Sequence, residues 1–388
     1  MSKLEELIQE LCPNGVEYKC IKDLCIITTG RLNANAMVEN GEYEFFTCSK
    51  ESFKTNSYAF DGEALLIAGN GYIGDVKHFK GKFDAYQRTY VLMNFDNKIN
   101  IRFMFHCFKR NFREYAQRFQ KEGSVPYITL GTLENYKVPV PPIKVQSEIV
   151  RILDNFTLLT AELTAELTAR KKQYEYYRDS LLTFDVNIPK VKLGEIATDI
   201  YRGSGITREM VTEIGIPCVR YGEIYTKYNL WFDTCVSHTK IENVQNPKYF
   251  EYGDILFAIT GESVEDIAKS VAYVGNEKCL AGGDIVVLKH NQNPKYLSLV
   301  LSTTDAVKQK GKGKVKSKVV HSSAPAISEI EIPLPSLEVQ ERLVNVLENF
   351  ESLCNDLGIG LPAEIEARQQ QYEFYRTKLL TMLSEGVN

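Results

Sequence analysis

Residues 139–183, PVPPIKVQSEIVRILDNFTLLTAELTAELTARKKQYEYYRDSLLT, return near the end of the chain as residues 333–381, PLPSLEVQERLVNVLENFESLCNDLGIGLPAEIEARQQQYEFYRTKLLT. At an offset of 194 the pairs Pro139/Pro333, Pro141/Pro335, Val145/Val339, Gln146/Gln340, Asn155/Asn349 and Phe156/Phe350 are identical. After a four-residue insertion in the second copy the offset is 198, and Arg170/Arg368, Gln173/Gln371, Tyr174/Tyr372, Tyr177/Tyr375, Arg178/Arg376 and Leu181/Leu379 match. A fold for this chain must therefore accommodate the same segment twice.

Both copies are helical by period. In the first, Ile149, Ile152, Phe156, Leu159, Leu163, Leu167, Arg170, Tyr174, Tyr177 and Leu181 fall three or four apart, nearly a coiled-coil seam, with a stutter at 159–163–167. Pro141 and Pro142 set the start. In the second copy Gly358, Gly360 and Pro362 interrupt the pattern, which predicts two helical pieces, the later opening with Pro362 in its first turn. The tandem Thr160-Ala161-Glu162-Leu163 and Thr164-Ala165-Glu166-Leu167 can act as a ruler, since each unit adds about 6 Å of helix and about 400° of rotation; an Ala/Glu/Leu-rich helix repeating by composition is the plainer reading.

Upstream of each arm lie regions of short β-like runs and turns, 15–135 and 189–332. They open alike, Ile21-Lys22-Asp23-Leu24 against Leu193-Gly194-Glu195-Ile196, and share a glycine-acidic strand opening, Asp61-Gly62-Glu63-Ala64-Leu65-Leu66 against Tyr252-Gly253-Asp254-Ile255-Leu256-Phe257. They read as distant copies of one α/β fold. Residues 101–121 add a helix with an apolar stripe of Ile101, Phe105, Phe108, Phe112, Tyr115 and Phe119 and a basic remainder of Arg102, Lys109, Arg110, Arg113 and Arg118. If the first arm carries the chain from one globule to the next, a second arm of equal length returns by running antiparallel beside it. About 35 helical residues span roughly 50 Å, about 15 base pairs of duplex.

The net charge of −4 hides a segregation: residues 337–385 hold four basic and nine acidic side chains, leaving 42 basic against 41 acidic elsewhere. Within that remainder Lys308, Lys310, Lys312, Lys314, Lys316 and Lys318 face only Asp305. Alternating at period two, they would line one edge of an extended segment, either to meet phosphates or as a solvated loop or lysine-protected edge. No apolar run approaches the ~18 residues of a membrane span, and MSKLEELIQE is no secretory signal, so a cytoplasmic protein is expected. Nine cysteines without a CxxC pair argue for reduced thiols and against structural zinc.

Gly69-Asn70-Gly71-Tyr72-Ile73-Gly74 matches GxGxxG, but Asp75–Gly81 alternates like a strand where a dinucleotide site needs a helix. A hairpin turn, or a loop approaching a nucleic acid, is the better reading. There is no GxxxxGK[ST], no Asn/Asp-Pro-Pro-aromatic box, no HExxH, and the five histidines stand apart; no catalytic, cofactor-binding or metal-binding residue is assigned. In the tyrosine boxes Tyr174 and Tyr177 fit the seam whereas Tyr176 points elsewhere, so these rings either lie wet on the coiled coil or meet a partner.

The order globule–helix–globule–helix, with proline-introduced arms and the RKKQYEYYR and RQQQYEFYR boxes, resembles the specificity subunit of type I restriction-modification systems over nearly the whole chain. The resemblance implies an α+β chain of two similar α/β target recognition domains separated by two long helices in an antiparallel coiled coil: residues 1–142 and 185–336 as the domains, 143–184 and 337–388 as the spacers. It implies that each domain reads one half of a split sequence on double-stranded DNA and that the helices dock two methylation subunits. Restriction subunits complete the complex, and S-adenosylmethionine, ATP and Mg2+ serve those partners. On that basis the DNA contacts are expected among Arg31, Asn70, Tyr72, Lys77, Arg88, Lys121 and Ser124 in the first domain. In the second they are expected among Arg202, Ser204, Arg208, Arg220, Ser263, Lys312, Lys314, Lys316, Lys318, His321 and Ser322. The partner surface is expected at Tyr174, Tyr176, Tyr177, Arg178, Tyr372, Phe374, Tyr375 and Arg376. A coiled-coil scaffold whose globules bind proteins is the alternative.

Overall fold

The computed structural model describes residues 3–184, 188–312, 319–355 and 360–385. The first half of the chain runs α1 (Lys3–Leu11), β1 (Tyr18–Cys20), β2 (Ile26–Thr29), β3 (Tyr43–Phe46), β4 (Phe53–Thr55), β5 (Phe60–Ala68), β6 (Val76–Ala85), β7 (Thr89–Met93), α2 (Ile101–Phe119), α3 (Leu130–Glu134), β8 (Lys137–Pro139) and α4 (Ile143–Leu181). Strands β2-β7-β5-β6-β3-β4 form one sheet, antiparallel except where β3 lies parallel to β6, and β1 pairs with β8 separately. The continuous apolar run Ala64–Ala68 makes β5 the buried centre of that sheet.

The second half runs β9 (Lys190–Lys192), α5 (Leu193–Ile196), β10 (Ala197–Arg202), β11 (Val211–Thr212), β12 (Ile216–Val219), α6 (Tyr221–Thr226), β13 (Trp231–Phe232), β14 (Ser237–Thr239), β15 (Tyr249–Phe250), β16 (Ile255–Ala258), β17 (Thr260–Gly261), β18 (Ser270–Tyr273), β19 (Cys279–Ala281), β20 (Ile285–His290), α7 (Pro294–Leu301), α8 (Thr304–Gly311), β21 (Val320–His321), α9 (Ala324–Ser328), β22 (Glu331–Pro333), α10 (Leu337–Asn355) and α11 (Leu361–Glu385). The duplication is visible strand by strand. Order β10-β20-β16-β18 repeats β2-β7-β5-β6, the pair β9/β22 repeats β1/β8, and parallel β12/β19 repeats parallel β3/β6. Where the first copy has the single helix α2, the second has α7 and α8, divided at Thr303, whose side chain caps α8.

The chain folds as two compact units, residues 1–163 with 365–388, and residues 164–364. Each unit therefore combines one globule with the start of its own arm and half of the other arm. In the first unit, buried Gln146 accepts from the Asn100 amide (2.8 Å) and donates to the carbonyls of Lys98 (2.8 Å) and Pro141 (2.7 Å), while the Asn100 side chain caps α2. In the second, buried Gln340 accepts from the Asn293 amide (3.1 Å), donates to Pro335 O (2.9 Å) and Gln292 Oε1 (3.0 Å), and Asn293 caps α7. The ion pair Arg102–Asp154 (2.9 Å) likewise returns as Lys295–Glu348 (2.5 Å). The ring pair Phe156/Tyr375 (centroids 5.3 Å) returns as Phe350/Tyr177 (6.4 Å).

The interrupted second arm is two helices, with Pro362 second in α11, as its glycines and proline predict. Three other expectations need correction. The buried residues of α2 are Phe103, Met104, His106, Cys107, Phe108, Phe112 and Ala116, whereas Phe119 is exposed. The stripe is displaced because a second face of α2 meets the arms: Arg102 pairs with Asp154 and Arg110 donates to Thr381 Oγ1 (2.6 Å), so neither joins an outward basic face. The expected seam of α4 is buried at Ile149 and Tyr174, but its Leu159, Tyr177 and Leu181 are exposed, and Val145 and Leu153 are buried beside it. The lysine run is not extended at its start, because Lys308 and Lys310 lie in α8; Lys310 is buried and donates to Ser270 Oγ (3.0 Å) and Leu301 O (2.9 Å). Among the described residues no helix is long and apolar enough to cross a membrane.

Candidate nucleic-acid interface

Backbone hydrogen bonds in the first globule join the segments that carry most of its expected contact residues. Leu32 bridges Tyr86 in parallel, Gln87 N donates to Leu32 O (3.0 Å), and Tyr86 N donates to Phe46 O (2.9 Å), tying the segment after β2 to the end of β3 and the β6–β7 turn. Gly69 N donates to Arg88 O (3.0 Å), Tyr72 N to Cys48 O (3.3 Å) and Ile128 N to Gly69 O (2.8 Å), while Asn70 and Lys121 each bridge Tyr127. This network brings together Arg31, Asn70, Tyr72, Arg88, Lys121 and Ser124, all exposed but Asn70, which is half-buried. Lys50 joins them with its ammonium 5.4 Å from the Tyr72 ring, and the Arg88 guanidinium lies 5.8 Å from the ring of Tyr127.

The glycines of the loop serve packing. A Cβ on Gly69 would meet Arg88 O at 2.4 Å; Gly74, at φ +76°, would meet Arg113 Cα at 2.8 Å. Strand β6 begins at Val76, where a dinucleotide fingerprint needs a helix. Lys77 is a correction: its Nζ donates to Ser49 O and lies 3.7 Å from Asp75, and burial lowers its pKa, so it braces the loop from within.

The second globule repeats the network with other side chains. Ser204 bridges Gly282 in parallel, Gly282 N donates to Val219 O (2.8 Å), and Ile285 N donates to Gly282 O (3.1 Å), as Thr89 N does to Tyr86 O. Thr260 pairs with His321 as Asn70 pairs with Tyr127, and Ser322 N donates to Ile259 O (2.8 Å) as Ile128 N does to Gly69 O. A groove of about 1150 Å³ opens here, with Arg208, Arg220 and Lys227 among its lining and Gly205, Gly222, Gly282 and Gly283 leaving its wall open. Arg208 and His321 are exposed, Ser322 half-buried.

Three expected contacts in this globule are already engaged. Ser204 is buried, donating to Asn246 O (2.8 Å) and accepting from Lys248 N (2.7 Å), so it holds two loops together and offers nothing outward. Arg202 is held by Asp284 (2.8 Å) and the Gly283 carbonyl. Ser263 donates to Asp266 Oδ2 (2.9 Å) and accepts from Asp266 N (3.0 Å), closing its own turn. Lys312 is exposed just beyond α8; Lys314, Lys316 and Lys318 lie outside the described residues.

The aromatic boxes divide by face. Tyr174 is 4% exposed beneath the Arg178 guanidinium (5.8 Å). Tyr372 sits in the same way beneath Arg376 (5.2 Å), and its hydroxyl meets His106 Nδ1 at 3.1 Å. Arg178 is turned onto Asp179 (2.7 Å), which accepts from the Thr304 hydroxyl (2.5 Å). Tyr174, Tyr372 and Arg178 are thus corrections, because they fasten an arm to a globule instead of facing a partner; Arg376 is half-buried over Tyr372. Tyr176 and Phe374 are 69% and 61% exposed, with Tyr177 and Tyr375 beside them at 43% and 38%.

Residues 13–170 and 187–367 each match the family described as the type I restriction modification DNA specificity domain. The chain belongs to this family. It is 28% identical, over 97% of both chains, to a Haemophilus influenzae protein named as a type I restriction enzyme specificity subunit. It is 29% identical to the EcoR124I/EcoR124II specificity subunit of Escherichia coli, over 74% of this chain and 72% of that one. In fold it resembles the S subunit of the type I restriction-modification system of M. genitalium, with a TM-score of 0.54, 16% identity, and 96% and 97% of the two chains covered. A chain from a structure of type I R-M complex assembly gives a TM-score of 0.62 at 14% identity, with 95% and 98% covered.

In this member of the specificity family, sequence reasoning overlooked the set Asp154–His106–Tyr372, in which a buried histidine lies between two half-buried partners. His106 Nε2 meets Asp154 Oδ1 at 2.9 Å and the ring is fully buried. Burial lowers its pKa to about 4 against the pull of Asp154, so at neutral pH the ring donates from Nε2 and accepts the Tyr372 hydroxyl at Nδ1. Sealed from solvent, it pins α2 to α4 and α11. The signals available were Asp154/Glu348 at the repeat offset of 194 and the capping pair Asn100/Asn293 at 193.

Proposed function

We infer that this chain is the DNA-reading subunit of a type I restriction-modification complex and that each globule reads one half of a split target. The observation that carries this reading is the repeated turn network: the same backbone scaffold in both globules holds unlike exposed side chains, the arrangement needed for two different half-sites. The arms set the spacing between half-sites and carry two methylation subunits on faces that include Tyr176 and Phe374. Restriction subunits join them.

The chain itself contributes no chemical step. S-adenosylmethionine serves the methylation subunits, and ATP with Mg2+ the restriction subunits, in the cytoplasm. Expressing the chain with its methylation partner and mapping methylated adenines across the genome tests this: a single bipartite motif is expected, and methylation without a common sequence would overturn it. A protein-binding scaffold would leave the DNA unmethylated at any defined site.

A further inference from the structure

Arg220 stands at the mouth of the groove in the second globule, at the N-terminus of α6, and its guanidinium is held from behind. Nε and Nη2 both donate to Glu223 Oε1, at 3.1 and 2.9 Å, and the Arg220 amide donates to Glu223 Oε2 at 3.0 Å. Glu223 is 6% exposed and receives a further bond from the Ser237 hydroxyl at 2.6 Å, so it cannot turn away. A Cβ on Gly282 would lie 3.3 Å from Arg220 Cα and 3.8 Å from Cγ, so the glycine leaves the arginine its room. Nη1 has no acceptor among the described residues, and the side chain of Arg220 remains 28% exposed.

This is the end-on fork that matches the O6 and N7 acceptors of guanine in the major groove. Other exposed cations around the groove, Arg208 and Lys227, lack such a brace and suit phosphates. The corresponding place in the first globule is Thr47, because Val219 and Phe46 pair in the same way with Ala281 and Ala85. Conversely, Asp284 stands where the first globule has Arg88, two residues beyond the matching bridges at Gly282 and Tyr86. The braced arginine thus belongs to one globule alone.

We propose that Arg220 reads a guanine in the half-site of the second globule and that Glu223 and Ser237 act as its positioning residues. The inference rests on the chain being a DNA-reading subunit. It is tested by assembling the subunit with its methylation partner and measuring methylation rates on duplexes carrying every single-base change in the target. With Arg220→Ala, discrimination at one guanine of one half-site should fall about ten- to a hundredfold, while the other half-site keeps its full discrimination and so reports an intact assembly. Arg220→Lys keeps the charge without the fork and should lose the same discrimination with little loss of overall affinity. Retention of every base preference by Arg220→Ala, or a uniform weakening on all duplexes that Arg220→Lys restores, would overturn the proposal in favour of a phosphate contact. Absence of any base preference in the unaltered assembly would instead overturn the DNA-reading assignment, and this proposal with it.

Discussion

The two globules differ least where they grip the arms and most where they face outward. Gln146 and Gln340 each accept from the amide of the asparagine that caps α2 or α7 and donate to a proline carbonyl, differing only in the third bond, and the ion pair Arg102–Asp154 is replaced by another ion pair of the same polarity, Lys295–Glu348. At the outer turns, Arg88 over Tyr127 in one globule corresponds to Asp284 tied to Arg202 in the other, and Arg220 braced by Glu223 corresponds to Thr47. The lesson is a division of labour within each globule. Buried polar groups carry an unsatisfied-donor cost that fixes them, whereas an exposed turn side chain changes within a few tenths of a kcal/mol and is free to follow a different half-site.

The strongest way to break this comparison is at the grip. Gln146→Ala leaves the Asn100 amide and the carbonyls of Lys98 and Pro141 without their partner, and should destabilise the first unit by about 3 kcal/mol; Gln340→Ala should do the same to the second. Thermal unfolding followed by hydrogen exchange would show each loss confined to its own unit, and unequal losses would mean that the two grips are not equivalent.

Acid should strain both units through one desolvated histidine in each, His106 fully buried and His290 half-buried. Burial holds His106 and His290 at about 4, below the ordinary 6.5. Between those values the unfolded chain binds the protons that the folded chain refuses, so stability is full above about pH 6.5 and falls as pH drops toward 4, by about 2–3 kcal/mol per histidine. Denaturant midpoints across that range check it, and in His106→Gln the slope for the first unit should flatten while that of the second stays.

Smaller effects sharpen the outward side. Replacing Lys312, Lys314 and Lys316 with Ala should weaken binding to every duplex alike and reduce the salt dependence by up to about three phosphate contacts, with binding titrations over a salt series as the measurement. Tyr176→Ala should keep the fold yet cost about 1–2 kcal/mol of association with the methylation subunit; its box neighbour Tyr174, buried against the globule, should cost fold stability when truncated. Calorimetric titration against that subunit separates the two.

The duplication was legible because prolines and a glutamine recur at an offset of 194 and the tyrosine boxes at 198, and the arm's interruption because glycine and proline do not continue a helix. Strand β6 was legible from the alternation after Gly74. The inward turn of Tyr174 was not, since a helical period gives the angle between residues but not which face the globule covers. Nor was the burial of Lys310, because a lysine in a basic run reads the same whether its ammonium meets water or, as here, Ser270 and a helix-end carbonyl. The brace on Arg220 was within reach: an arginine followed three residues later by glutamate at a helix start is a local pattern.

The central claim is that one scaffold presents two independent reading surfaces. Replacing residues 15–135 with the equivalent part of a related subunit, co-expressing the hybrid with the methylation partner and sequencing the methylated sites tests it directly. The account predicts a new base set in one half-site with the other half-site unchanged; alteration of both halves together would contradict it.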